Sequence, residues 1–217
     1  MEIEQIARIL IFIHAGFGGI ALISGAISLL TKKGNNLHKK SGKVFFYTML
    51  ISVLMSLIIA VIPNHKSSFL FFIGLFSLYF IIGGYRSLKF KKKDISIRFD
   101  NILAYSIIVT GIIMIIYPII LENVINTVLL VFGIIALIFG IIDFLLLKNK
   151  DKLRKNWLKI HLSKMISGYV AAMTAFVVVN QWIPGVWAWF TPGIFGTTYM
   201  IYWLKKLNKK KPVANKV

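Results

Sequence analysis

Val124–Leu147 reads VINTVLLVFGIIALIFGIIDFLLL, an apolar run with a single charge, Asp143. A hydrocarbon core takes about 20 helical residues to cross, so the run is long enough to span a bilayer. It lacks the alternation of a barrel strand, and a helix is the other spanning structure that satisfies its own backbone. Outward from it lie runs of the same character at Ala7–Leu30, Val44–Pro63, Ser68–Leu88, Asn101–Leu121, His161–Ile183 and Val186–Leu204. Together they predict an all-α fold: one transmembrane domain over residues 1–217, a bundle of seven spans.

Composition agrees. The 217 residues are 58% hydrophobic and 15% charged, against roughly 45–50% and 25% in an ordinary globular chain. A soluble domain of this length has too little interior for so much apolar surface, which excludes a soluble enzyme and a disordered chain. The absence of cysteine excludes a disulfide scaffold, thiolate metal sites, iron–sulfur ligation and cysteine nucleophiles.

The net charge of +19 sits in short blocks between the apolar runs: Thr31–Lys43, Lys89–Arg98, Lys148–Lys159 and the tail after Leu204. With Arg86 and Lys164, these hold every lysine and arginine except Arg8 and Lys66. Blocks this short offer no folded basic face for nucleic acid, which is excluded as a partner. They obey the positive-inside rule instead, placing the amino terminus outside and the carboxyl terminus in the cytoplasm of an inner-membrane protein. The basic loops then meet anionic lipids at the cytoplasmic face. The acidic start, Met1-Glu2-Ile3-Glu4, is unlike a cleaved leader, so the first span is expected to be retained. A protein partner or a homo-oligomer stays open.

Three spans carry stripes of small residues at helical spacing: His14, Gly18, Ala21, Gly25 and Ser28; Gly133, Ala136, Gly140 and Asp143; His161, Met165, Gly168, Ala172 and Ala175. Such stripes are packing seams, but each here also holds an ionisable residue, which is costly in a membrane. His14 lies about eight residues inside its helix, roughly 12 Å deep. It is hydrogen-bonded across a seam, a ligand to a haem or metal, or a proton-carrying residue, with Met55, Met114 or Asn180 as neighbours at similar depth. His38 and His161 form a second pair near the cytoplasmic side, and His65 lies solvated in an outer turn. Asp143 is expected to bridge to Arg86 or Lys164. Asp100 is expected to cap the fourth helix. Thr191-Pro192 has the form of a helix start, or else marks a kink within the last span.

No phosphate-binding loop, HExxH or nucleophile elbow occurs. The stretch from His14 through Gly25, the Lys33-Gly34 and His38-Lys-Lys-Ser-Gly42 loop, Gly84-Tyr-Arg86, Asp143 and the segment His161–Asn180 resemble a family of bacterial membrane proteins that carry a domain of unknown function. The resemblance implies a small multi-pass inner-membrane protein without an assigned reaction. The leading expectation is a non-enzymatic protein acting through helix packing, a small ligand or a partner. The alternatives are a small-solute transporter, a b-haem or redox-assembly protein using His14 or the His38/His161 pair, and a membrane enzyme built on His161, His38 and Asp143.

Overall fold

The computed structural model describes residues 2–209 and consists of seven α-helices joined by short connections. They are α1 (Glu2–Leu30), α2 (Asn36–Ile59), α3 (Ser68–Arg86), α4 (Arg98–Leu121), α5 (Thr127–Leu147), α6 (Lys150–Val179) and α7 (Trp187–Lys209). No strand occurs among the described residues. Six of the helices, α1 to α6, are long and apolar enough to cross a membrane. α7 is not among them, because threonines, glycines, Pro192 and terminal lysines dilute its apolar face. Lys210, Lys211 and Lys216 of the basic tail lie outside the described residues.

Side-chain caps place two helix starts earlier than the apolar runs do. The Asn35 side chain accepts from the His38 amide, so α2 begins inside the basic segment and His38 lies in its first turn. Asn149 likewise accepts from Lys152, and α6 starts more than two turns before His161. Leu153 and Ile160 on that extension are buried, so it packs as an amphipathic helix instead of forming a loop. At the last helix, Thr191 is not an N-cap. α7 starts at Trp187 and runs through Pro192, and the Thr191 hydroxyl donates back to the Trp187 carbonyl. Gly34 and Gly185 turn the chain at φ +85° and +62°, where a side chain would be strained.

The small-residue stripes are the seams of the bundle. A Cβ on Gly111 of α4 would lie 2.9 Å from the Gly133 carbonyl of α5, and a Cβ on Gly133 equally close to the Gly111 carbonyl. The two backbones therefore nearly touch, as in small-xxx-small packing. The α1 seam meets α2 at Gly18 and α6 at Gly25, where a Cβ would lie 2.5 Å from the Tyr169 ring. Between α3 and α6, Gly84 lies under Met165 and Gly168 under Ile81. Phe76, Tyr79, Phe80, Ile107, Met114 and Phe132 form the main buried cluster between α3, α4 and α5. α7 packs mainly on α6, while its Tyr199 hydroxyl donates to the Leu29 carbonyl of α1 at 2.6 Å and its Trp189 meets Phe69 of α3.

Candidate functional site

One turn before the end of α5, Asp143 leaves the helix toward α6 and α3. Its carboxylate accepts from the Lys164 ammonium and, at 2.6 Å, from the Tyr79 hydroxyl. The ammonium also lies 4.4 Å from the centre of the Tyr79 ring, a cation–π distance. Gly83 makes room for it, since a Cβ there would lie 2.6 Å from Lys164 Nζ. The side chains of Lys164 and Asp143 are only 6% and 13% exposed, so this is an interior ion pair and not a surface contact.

A second pair lies beside it. Arg86 at the end of α3 grips Asp100 of α4 with two hydrogen bonds, one of 2.7 Å from Nε to Oδ1. Asp100 is buried and does not serve as the helix cap; that position falls to Ile97, which provides no side-chain bond. Asp100, Asp143 and Lys164 share a cavity of about 10 Å³, closed by Phe90, Leu103, Leu147 and Leu153. That is roughly the room one water needs. Four helices thus bring two acids and two bases to one layer near the end of the bundle that carries the basic connections. The layer is electrically balanced. Buried ion pairs add little to stability once desolvation is counted, whereas loss of one partner is expensive.

The histidines are distributed along the bundle. The His14 ring donates from Nδ1 to the Ser52 carbonyl at 2.9 Å, and the Ser52 hydroxyl donates to the His14 carbonyl at 3.0 Å. This reciprocal clasp joins α1 to α2, in place of the contacts with Met55, Met114 or Asn180 expected from depth alone. Met114 is wholly buried between α4 and α5, where it packs against Gly133. Met55 is half-buried one turn from Ser52. Asn180 is exposed and its amide donates to Phe176 of its own helix. His38 donates from Nδ1 to the Ser28 carbonyl at 3.0 Å, and His161 from Nδ1 to the Gly84 carbonyl at 2.8 Å. His65 is not merely solvated, for its Nε2 lies 3.3 Å from Glu4.

A carbonyl partner fixes each Nδ1 of these three seam histidines as the protonated nitrogen and leaves Nε2 with its lone pair. Metal-binding histidines share this arrangement. The donor chemistry therefore suits an axial ligand. The water-sized cavity and a larger apolar groove beside α7 are both lined without histidine. No trio of His, Asp or Glu able to hold a metal occurs among the described residues.

Tyr79, Gly83, Ser52 and the Arg86–Asp100 pairing were not singled out from sequence. Tyr79 carried a signal all the same, for it stands one turn before Gly83 in the one span that ends on a lone arginine.

Apolar helices of spanning length around a buried, balanced charge layer define a polytopic helical membrane protein. The chain belongs to the family described as predicted membrane proteins with the domain of unknown function DUF2306, whose family model matches residues 11–147. The match covers α1 from residue 11 onward and the whole of α2 to α5. No curated protein and no solved structure matches the chain.

Proposed function

We propose that the chain is a non-enzymatic inner-membrane protein that holds a small ligand at its charge layer. Its amino end then lies outside, its carboxyl end lies in the cytoplasm, and α7 completes seven spans. The carrying observation is the convergence of Asp143, Lys164 and Asp100 on one small cavity, with Arg86 of a fourth helix paired to Asp100 beside it. A purely structural seam has no need of such groups, since apolar residues of equal volume pack as well or better. Ionisable side chains inside a membrane mark a functional site by default. Solvent extraction of detergent-purified wild type and of the double variant Asp143→Asn/Lys164→Met tests the reading. Wild type should release a stoichiometric small molecule that the folded double variant lacks. Equal content in both would refute it.

A second reading, b-haem on His38 and His161, is supported by the carbonyl partner of each Nδ1, which leaves each Nε2 able to act as a ligand. Its test is an absorption spectrum of the purified protein after haem is supplied. A Soret band lost in His161→Ala supports it, and a colourless protein ends it.

A further inference from the structure

Above the charge layer, a groove of about 450 Å³ runs between α3, α5, α6 and α7. Phe76, Phe80, Phe132 and Ile135 line one wall, and Ala171 and Thr174 of α6 another. The α7 side extends from Trp189 to Thr198, about 14 Å at 1.5 Å per residue, or roughly half a hydrocarbon core. Trp189 closes the end away from the charge layer, edge-on to Phe69 at 4.9 Å.

The groove and the charge layer share the same helix faces. On α6, Thr174, Ala171 and Ser167 continue one turn on to Lys164. On α5, Phe132, Ile135 and Phe139 continue to Asp143. On α3 the ring contacts Phe76–Phe80 at 4.8 Å and Phe80–Tyr79 at 5.0 Å lead to the hydroxyl that Asp143 holds. By helix register the apolar groove therefore runs toward a polar layer that lies just beyond its lining. α3 packs on both α5 and α6, and α6 on α7, so the unpacked edge of the groove is the one between α5 and α7. The outer faces of those two helices, with Ile134, Ile138 and Phe195, are exposed and suited to lipid.

We infer that this groove binds the chain of an uncharged amphiphile taken from the bilayer, whose hydroxyl or carbonyl head meets Tyr79, Asp143 and Lys164. This rests on the ligand-binding reading above. The balance of charge selects the head. Lys164 is already neutralised by Asp143 and Arg86 by Asp100, so an anionic headgroup would bring an uncompensated charge into the interior. A neutral oxygen can share the Tyr79 or Lys164 donors without that cost. An apolar body and a neutral polar tip match the surface at both ends.

The probes are diazirine-bearing dodecanol and the matching dodecanoate, each photolysed with the full chain in lipid nanodiscs at a pH where the acid is ionised. Dodecanol should label peptides from α6 and α7, with unlabelled dodecanol competing at least about tenfold better than dodecanoate. Ala171→Phe and Gly193→Phe, which fill the groove, should each remove that labelling, while Ile138→Phe on the lipid face should leave it intact. Labelling that persists in both filled variants, spreads evenly over the lipid-facing helices, or yields equally to dodecanoate overturns the inference. If groove labelling survives Asp143→Asn/Lys164→Met unchanged, the charge-layer reading fails while the groove stands. If the extracted ligand depends on the charge layer but the groove is never labelled, the reverse holds.

Discussion

Replacing Lys164 by Met leaves the Asp143 carboxylate in the bundle with a single donor, the Tyr79 hydroxyl at 2.6 Å. Neither member of the pair has enough exposure for water to take over, at 6% and 13%. Removing one partner of a buried pair costs about 3–5 kcal/mol, while replacing both by neutral groups of similar volume is close to neutral. Unfolded helices in a micelle also find polar partners, so the lower end of that range is expected here. Lys164→Met and Asp143→Asn should each lower the free energy of unfolding by about 3 kcal/mol, and the double variant by about 1 kcal/mol or less. The assay is reversible denaturant unfolding in detergent, followed by circular dichroism. Additive losses, roughly 6 kcal/mol in the double variant, would mean that the two side chains do not face each other and would refute the reasoning.

Gly133→Ala should cost about 1–3 kcal/mol by overpacking, because its Cβ would meet Ile115 at 2.7 Å and the Gly111 carbonyl at 2.9 Å; Gly16→Ala, with nothing within 4 Å, should cost nothing in the same unfolding assay. Gly83→Ala should push the Lys164 ammonium off Asp143 and reproduce most of the loss seen in Lys164→Met, whereas wild-type stability would show that the lysine reaches Asp143 by another path. Ser52→Ala removes the donor to the His14 carbonyl and should cost about 0.5–1.5 kcal/mol, less than loss of the charged pair; a larger effect would assign the His14 clasp a role beyond packing. Reporter fusions at Lys92 should read as cytoplasmic and at His65 as external, and the opposite result would invert the orientation.

The sequence showed much of the bundle and little of its wiring. Apolar runs of spanning length are a strong one-dimensional signal, and the Gly133, Gly25 and Gly168 stripes marked faces that do pack closely. Which charge meets which depends on the rotation of each helix about its axis. From spacing alone, Arg86 and Lys164 were equivalent partners for Asp143, and Asp100 had the form of a cap. The structure gives Lys164 to Asp143 and Arg86 to Asp100 because Gly83 opens a path for the lysine and the end of α3 faces the start of α4. His14 found Ser52 because the α1–α2 seam brings the two residues level, one serine among several on that helix. The early start of α6 was hidden by its lysines, which read as a loop although Asn149 and the buried Leu153 and Ile160 specify a helix. The groove belongs to four helices at once and has no counterpart in any single stretch of sequence.

Everything at the charge layer depends on Asp143 and Lys164 being an ionised pair inside the bilayer. Infrared difference spectroscopy of wild type against Asp143→Asn in nanodiscs at neutral pH reads the state of that carboxyl directly. The difference should contain an ionised carboxylate band and no carboxylic acid carbonyl band. A carbonyl band that disappears in Asp143→Asn would show a protonated acid in place of the ion pair and would contradict the charge layer as described.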